Sequence, residues 1–213
     1  AMRQADGAIC ICEGLRAELI SRGVDADRII VVPNAASREA FSTENDRTDT
    51  PEIARLRERL GPMVMGYLGS LRPLEGVDEL IRAAAEVRKL GHDAKLLIVG
   101  DGPNRPELEA LAQELGLGDN AVFTGKVPHE DVPHYYSLIS AFVISRPNTR
   151  VAQVVTPLKP LEAMALRRPL VVSDLPALRE LVQGDQFGLV YPTGDPAALA
   201  QRCISIFENP QDA

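Results

Sequence analysis

A lysine and a carboxylate flank the point where a predicted amphipathic helix begins. The helix is predicted over 160–166; Lys159 directly precedes it and Glu162 falls in its first turn. Backbone N–H groups point outward at a helix start and the helix dipole is positive there, so a phosphorylated ligand is favoured. A carboxylate in the same turn can accept two hydrogen bonds from a ribose diol. These residue types predict a nucleotide site, with Glu162 as its leading candidate.

Two glycine-containing loops follow predicted buried strands and offer further contacts. The loop from Gly69 to Gly76 leads into a helix near Val77, and a second loop contains Gly100 and Gly102. Glycine lets the backbone approach a phosphate closely. The third glycine of a dinucleotide fingerprint is missing, which disfavours a dinucleotide dehydrogenase. We predict phosphate contact at the first loop, with a simple tight turn as the alternative; the second loop by itself indicates a turn.

Two more loops and one acidic pair complete the candidates. Gly125-Lys126-Val127 would present backbone groups to a flat ligand such as a base, although an ordinary connecting loop is the favoured alternative. Arg146-Pro147-Asn148-Thr149-Arg150 is predicted as a loop whose two arginines suit phosphate or carboxylate oxygens, with a solvated surface as the alternative. Asp25 and Asp27 match an Asp-x-Asp cation motif but lack further carboxylates, so no metal site is predicted.

Alternating apolar strands and amphipathic helices must position these loops. Such a pattern is typical of βαβ units, and right-handed crossovers make a doubly wound parallel sheet the expected α/β fold. Ligands of these sheets bind outside the carboxyl ends of the strands, where the candidate loops lie. Strands are predicted over 8–12, 29–32, 63–68, 95–99, 121–124, 141–145, 169–172 and 188–191. Helices are predicted over 13–22, 51–60, 77–90, 106–115, 129–137, 160–166, 175–182 and 196–208.

The composition of the 213 residues is that of an ordinary globular protein, with 45% hydrophobic and 25% charged residues. The net charge of −7 disfavours a nucleic-acid partner, because nucleic-acid domains usually carry a basic surface. The three cysteines predict small buried side chains, no disulfide framework and a reducing cytoplasm. No apolar run approaches the roughly 20 residues that span a bilayer, so membrane insertion and export are disfavoured.

Two features concern the organisation of the chain. Residues 42–50 are polar throughout and predict a mobile surface loop between a short leading segment and the main sheet. The chain enters a predicted strand almost at once, which suggests a part cut out of a longer polypeptide.

Several motifs occur in an order that resembles one known family. They are Val32-Pro33-Asn34, Gly66-Tyr67-Leu68-Gly69-Ser70, Glu75-Gly76-Val77-Asp78, Ile98-Val99-Gly100-Asp101-Gly102-Pro103, Phe123-Thr124-Gly125, Leu161-Glu162-Ala163-Met164-Ala165 and Gly188-Leu189-Val190. The chain resembles, over nearly its whole length, the retaining glycosyltransferases of family 4, or group 1, whose two Rossmann-like domains form the GT-B arrangement. The resemblance implies that residues 1–40 are the end of the N-terminal domain and the interdomain link. Residues 41–213 would then form the Rossmann-like donor-binding domain.

The resemblance also implies an activity and a set of site residues. The parent enzyme would move a sugar from a nucleoside-diphosphate sugar to a glycan or lipid-linked acceptor with retention, without a cofactor or bound metal. Glu162 matches the second glutamate of the family's Glu-x7-Glu motif, which holds the donor ribose, and the loop at Lys126 would hold the base. The implied catalytic residues are Gln153 and Lys159. The implied donor-binding residues are Gly69, Ser70, Arg72, Gly102, Lys126, Arg146, Leu158 and Glu162.

The chain departs from the family pattern at three positions. Ser70 and Glu75 stand where the family usually has an arginine and a lysine that neutralise the leaving diphosphate. A carboxylate there is expected to oppose developing negative charge, so Arg72 or Lys159 is expected to substitute. The first glutamate of the motif is also replaced, and the neighbouring Gln153 can donate a hydrogen bond to a sugar hydroxyl without supplying negative charge. A Pro-Leu-Lys-Pro lead-in resembles a branch of the family in which Lys159 would be the diphosphate cation.

The leading interpretation is the donor domain of a cytoplasmic glycosyltransferase that builds a surface glycan or glycolipid, with peripheral association at the inner membrane face as an option. Its partners would be the donor, the acceptor and an N-terminal domain that this chain lacks, so the fragment itself is expected to be inactive. Two alternatives stay open. One is a non-catalytic nucleotide-binding module with the same fold, and the other is a nucleotide-sugar epimerase domain of the same architecture.

Overall fold

The computed structural model describes residues 5–37 and 49–211, and its main feature is a six-stranded parallel sheet with helices on both faces. The α/β doubly wound fold predicted from the sequence is confirmed. The strands are β1 (Ala8–Cys10), β2 (Ile29–Val31), β3 (Val64–Leu68), β4 (Lys95–Val99), β5 (Ala121–Gly125), β6 (Ala141–Ile144), β7 (Leu170–Ser173) and β8 (Leu189–Tyr191). The helices are α1 (Glu13–Ser21), α2 (Pro51–Leu60), α3 (Val77–Lys89), α4 (Arg105–Glu114), α5 (Val132–Ser137), α6 (Arg150–Val154), α7 (Lys159–Ala165), α8 (Pro176–Val182) and α9 (Pro196–Glu208).

The strand order of the main sheet creates a crevice at its centre. The order is β5-β4-β3-β6-β7-β8, so the chain runs outward from β3 to β5 and then returns to lay β6 on the other side of β3. Every residue of β3 and β6 is buried, as expected for parallel strands covered on both faces. The loops after β3 and β6 leave the sheet in opposite directions, and ligands of such sheets bind in the crevice between them.

The leading segment forms a small parallel sheet of its own. Strands β1 and β2 pair through Ala8 and Ile29 and are joined by α1, which packs against α6. The thiol of Cys12 donates to the carbonyl oxygen of Val154 at 3.0 Å and ties this segment to the main domain. Cys10, Cys12 and Cys203 are free thiols, and all three are buried, which confirms the prediction of small buried side chains.

Most predicted elements agree with the structure to within one or two residues, and one prediction is wrong. The run from Arg146 to Arg150 was expected to be a loop throughout, but Arg150 begins the short helix α6. Thr149 caps this helix, because its hydroxyl accepts a hydrogen bond from the backbone N–H of Ala152 at 3.3 Å. Five residues rich in valine carry too little periodicity to predict a helix.

The polar segment predicted over 42–50 lies largely outside the described residues, which resume at Asp49. Its last residue, Thr50, caps α2 by accepting from the backbone N–H of Ile53 at 3.3 Å. Among the described residues, no helix has the length and apolarity needed to cross a membrane.

Candidate functional site

Glycines pack three neighbouring loops against one another at the carboxyl edge of the sheet. The backbone N–H of Gly100 donates to the carbonyl oxygen of Gly125 at 2.9 Å. A Cβ placed on Gly100 would lie 1.9 Å from the carbonyl oxygen of Gly69, and one on Gly102 would lie 2.3 Å from that of Leu71. The loops after β3, β4 and β5 therefore form a close-packed backbone surface, and Gly102 serves this loop-to-loop packing.

Lys159 crosses this surface from the first position of α7. Its Nζ lies 5.4 Å from the centre of the Tyr67 ring, and a Cβ on Gly69 would lie 2.1 Å from its Cε. The Nζ also lies 3.4 Å from Oε2 of Glu75. Packing on Tyr67 and Gly69 fixes the course of the lysine side chain, which is 20% exposed at the edge of the crevice.

Glu75 is the centre of a three-residue charge cluster with Lys159 and Arg146. Its Oε1 lies 3.3 Å from Nη2 of Arg146, and both of these side chains are 8% exposed. The sequence predicted that the carboxylate of Glu75 would oppose an anionic ligand. The structure instead gives this carboxylate two cationic partners. With two cations and one carboxylate, the cluster has a formal net charge of +1.

Buried hydroxyl groups hold the backbone on either side of this cluster. Ser145 donates to the carbonyl oxygen of Gly76 at 2.7 Å, and Ser173 donates to that of Arg146 at 2.9 Å. The guanidinium of Arg146 also donates through Nη1 to the carbonyl oxygen of Val155 at 3.3 Å. These contacts place Arg146 inside the protein, 7% exposed, beneath the surface of the crevice.

Glu162 lies one turn along α7 and is oriented by a buried tyrosine. The hydroxyl of Tyr136 donates to Oε2 of Glu162 at 2.9 Å, and the Tyr136 ring packs on Phe142 with centroids 4.9 Å apart. Burial, and then the charge of Glu162, raises the pKa of Tyr136, so the phenol stays protonated and keeps donating. In the part of the chain that the structure describes, Oε1 of Glu162 accepts no hydrogen bond.

The start of helix α7 offers fewer free backbone N–H groups than the sequence suggested. It contains seven residues, and Pro160 at its start has no N–H group. Leu158, which is 48% exposed, precedes the helix and accepts hydrogen bonds from the N–H groups of Leu161 and Glu162. The positive charge at this point of the crevice therefore comes mainly from the side chain of Lys159.

Two more predicted donor-binding residues, Ser70 and Arg72, make no hydrogen bond or ion pair with the cluster in the described part of the chain. Ser70 is exposed, and its carbonyl oxygen accepts from the Tyr67 hydroxyl at 3.2 Å. Arg72 is exposed in a groove between α3 and α4 together with Asp78 and Asn104. Of the two substitute cations considered, the structure therefore brings Lys159, and not Arg72, into contact with Glu75.

Gln153 and Lys126 are placed on separate elements. Gln153 lies in α6 and its Nε2 donates to Oδ1 of Asn148 at 2.7 Å. Lys126 is exposed and follows the edge strand β5, two strands away from β3. The structure records no hydrogen bond or ion pair between these two residues and the Glu75 cluster within the described ranges.

Sequence reasoning missed the two buried tyrosines that support the site. Tyr67 lies at the end of β3 beneath Lys159, and Tyr136 lies in α5 beside Glu162. Burial, followed by the charge of Glu75, raises the pKa of Tyr67, which therefore remains a neutral platform for the lysine. A phenol within an otherwise apolar segment was the available signal, since a buried Tyr hydroxyl requires a partner.

The acidic pair of Asp25 and Asp27 is joined by a local hydrogen bond. Asp25, predicted as a poor metal ligand, uses its carboxylate to accept from the backbone N–H of Asp27 at 3.1 Å. Across residues 5–37 and 49–211, no group of three or more His, Cys, Asp or Glu side chains is arranged to hold a metal ion.

A cavity of about 510 Å³ lined by Arg168, Leu170 and Phe187 opens where β7 begins, and none of the predicted site residues line it.

The fold and this edge of the sheet define a Rossmann-like α/β domain. Residues 49–213 match the family model for glycosyl transferases group 1. The chain belongs to this family.

The chain is similar in sequence or in fold to several known proteins. The alpha-D-kanosaminyltransferase of Streptomyces kanamyceticus is 31% identical over 216 residues, which cover 99% of this chain and 53% of that protein. A crystal structure of HepE from Anabaena with UDP and glucose superposes with a TM-score of 0.82 at 23% identity, covering 99% of this chain and 56% of that one. The sucrose-phosphate synthase of Thermosynechococcus elongatus gives a TM-score of 0.81 at 26% identity, with 99% and 51% covered. The chain spans about half the length of the proteins it matches.

Proposed function

We propose that the chain is the donor-binding part of an enzyme that transfers a sugar from a nucleoside-diphosphate sugar to a glycan or lipid-linked acceptor, with retention of configuration. The observation that carries this proposal is the position of Lys159 and Glu162, one turn apart at the start of α7. Contact with Gly69 places Lys159 at the loop after β3, beside the central crevice of the sheet. Membership of the group 1 family supports the transfer of a sugar.

Glu162 is assigned the ribose of the donor. The Tyr136 hydroxyl donates to one carboxylate oxygen at 2.9 Å, which restricts the rotation of the carboxylate before any ligand arrives. A carboxylate has about four acceptor positions, so the other oxygen, Oε1, still offers two positions for the neighbouring hydroxyls of a ribose ring. Pre-orientation of this kind lowers the entropic cost of binding.

Lys159 is assigned the diphosphate. Departure of the diphosphate from the sugar develops negative charge, and a fixed cation at that point stabilises the transition state. The excess positive charge of the Glu75 cluster supports this role, and Gly69 leaves the backbone bare beside the ammonium group. The proposal requires no metal ion, because the lysine supplies the neutralising charge.

The remaining roles follow from the proposed whole enzyme. Gln153 is assigned a hydrogen bond to a sugar hydroxyl, and the loop at Lys126 the base. The acceptor is proposed to bind an additional domain that packs beside residues 1–40, at the cytoplasmic side of a membrane. The described chain alone would then bind the donor nucleotide but not complete the transfer.

Calorimetric titration with UDP, GDP and ADP tests the proposal. We expect one of the three to bind, and we expect Glu162→Ala to weaken that binding while Glu58→Ala, an exposed substitution on α2, leaves it unchanged. Binding that is equal in both variants would reject Glu162 as a donor ligand. Absence of binding of all three by the folded protein would reject the donor role.

A further inference from the structure

We propose that Glu75 is an exchangeable partner of Lys159, and that Arg146 takes over Glu75 when Lys159 turns to the diphosphate. The inference rests on the proposed function, since it concerns the same donor site. It makes Glu75 and Arg146 positioning residues, which act on the ligand through Lys159. Their joint role is to hold the lysine in an empty site without preventing its use.

Each oxygen of the Glu75 carboxylate contacts a different cation. Oε1 lies 3.3 Å from Nη2 of Arg146, and Oε2 lies 3.4 Å from Nζ of Lys159. The two cations are not equivalent, because the side chain of Arg146 is 8% exposed and that of Lys159 is 20% exposed. Lys159 is therefore the member of the cluster that an incoming ligand can reach.

Arg146 lowers the energetic cost of separating Lys159 from Glu75. A buried carboxylate that loses its only cationic partner is strongly destabilising. If Lys159 were the only partner of Glu75, a diphosphate would have to separate that pair and leave the carboxylate uncompensated. Because Arg146 remains in contact with Glu75, the lysine can leave without isolating a buried charge.

The guanidinium of Arg146 has a spare donor for this purpose. Its Nε is buried and is one of two buried side-chain polar atoms without a hydrogen-bond partner among the described residues. Nε and Nη2 lie on one edge of the guanidinium, and an arginine commonly binds both oxygens of a carboxylate through two parallel hydrogen bonds. A small rotation of Glu75 away from Lys159 would bring its second oxygen to Nε.

Arg146 and Lys159 are each held independently of Glu75. Hydrogen bonds from Ser173 and to the carbonyl oxygen of Val155 fix Arg146, at 2.9 Å and 3.3 Å respectively. The Tyr67 ring and Gly69 line the path of Lys159. Glu75 can therefore rotate towards Arg146 without displacing the guanidinium or the stem of Lys159, whose ammonium group turns to the diphosphate.

A second-site rescue experiment tests the exchange. Affinities are measured for whichever of UDP, GDP and ADP the wild-type protein binds, and for the matching nucleoside, in Arg146→Met, in Arg146→Met with Glu75→Gln, and in an Arg82→Met control on α3. We expect Arg146→Met to weaken diphosphate binding about tenfold, because Glu75 then retains Lys159, with nucleoside binding unchanged. Adding Glu75→Gln should restore diphosphate affinity to within about threefold of wild type or better.

The outcomes separate this inference from the proposed function. A double variant as weak as Arg146→Met would mean that Arg146 itself contacts the diphosphate, which overturns the exchange. Unchanged binding in Arg146→Met would overturn it as well. If Arg146→Met does not fold, the double variant, which removes the buried charges together, is compared with wild type, and a tenfold loss there contradicts the exchange. Failure of the wild-type protein to bind UDP, GDP or ADP would instead reject the proposed function and the exchange with it.

Discussion

Lys159 occupies the space in which a side chain on residue 69 would lie. A Cβ on Gly69 would be 2.1 Å from Cε of Lys159, and the backbone of Gly69 has a φ of +146°. Both facts restrict position 69 to glycine, since other residues rarely adopt this φ and have no room for a Cβ. The glycine after β3 thus determines where the cation of the crevice lies.

Replacement of Gly69 by alanine is expected to displace Lys159 and weaken nucleoside-diphosphate binding at least about tenfold. Backbone strain should also lower the free energy of unfolding by about 1–3 kcal/mol. Titration and urea denaturation measure the two effects. The matched control is Gly61→Ala, where φ is also positive at +68° but nothing lies within 4 Å of the added Cβ. Loss of ligand binding in the control as well would show that strain, and not displacement of Lys159, is responsible.

Removal of the Tyr136 hydroxyl is expected to loosen Glu162. In Tyr136→Phe, the hydrogen bond of 2.9 Å to Oε2 is lost, and nucleotide affinity should fall about threefold to tenfold. The free energy of unfolding should fall by about 1 kcal/mol. Tyr135→Phe is the control, because the Tyr135 hydroxyl contacts Glu52 of α2 at 3.4 Å and not Glu162. Equal affinities in the two variants would contradict the orienting role of Tyr136.

Glu79 predicts a pH dependence of stability. This carboxyl is buried at the start of α3 and accepts from the backbone N–H of Gly194 at 3.0 Å, and burial raises its pKa above the usual 4.5. The folded protein therefore binds this proton more tightly than the unfolded chain does. Its contribution to stability is complete below the usual pKa and is lost as the pH rises through the raised pKa.

Glu79→Gln keeps the acceptor oxygen and removes the titration. Denaturation at several pH values should show the variant gaining stability relative to wild type as the pH rises from about 4 towards 7. Gln113→Glu, at an exposed position of α4, serves as a charge-change control. A difference between variant and wild type that does not change with pH would contradict the raised pKa.

Gln153 should affect transfer more than donor binding. In the full-length enzyme, Gln153→Ala is expected to lower kcat about tenfold to a hundredfold, because it removes a hydrogen bond assigned to a sugar hydroxyl. The affinity for the diphosphate should stay unchanged. Gln113→Ala provides an exposed control on another helix. A lower diphosphate affinity with normal kcat would contradict this role and indicate that Gln153 contacts the nucleotide instead of the sugar.

The sheet was predictable because its strands are short apolar runs bounded by turn residues. The apolar segments that became β3, β4 and β6 are buried along almost their whole length, so their sequences carry the signal directly. The place of the site, outside the carboxyl ends of these strands, followed from the same pattern. Helix α6 was missed because its stability comes from a cap and from packing against α1 and α8.

The pairing inside the site was not predictable from the sequence. Glu75 is separated along the chain by 71 residues from Arg146 and by 84 from Lys159, so only the fold brings the three charges together. Considered alone, Glu75 looked like an unfavourable replacement of a cation. Its effect on an anionic ligand depends on two partners that become neighbours only after folding.

The most direct test of the account compares a nucleoside diphosphate with its nucleoside in two variants of α7. Lys159→Ala should weaken diphosphate binding at least about tenfold and leave nucleoside binding unchanged, whereas Glu162→Ala should weaken both ligands alike. This outcome would assign the diphosphate to Lys159 and the ribose to Glu162. Equal losses of both ligands in Lys159→Ala would contradict the central claim that this lysine is the cation of the donor site.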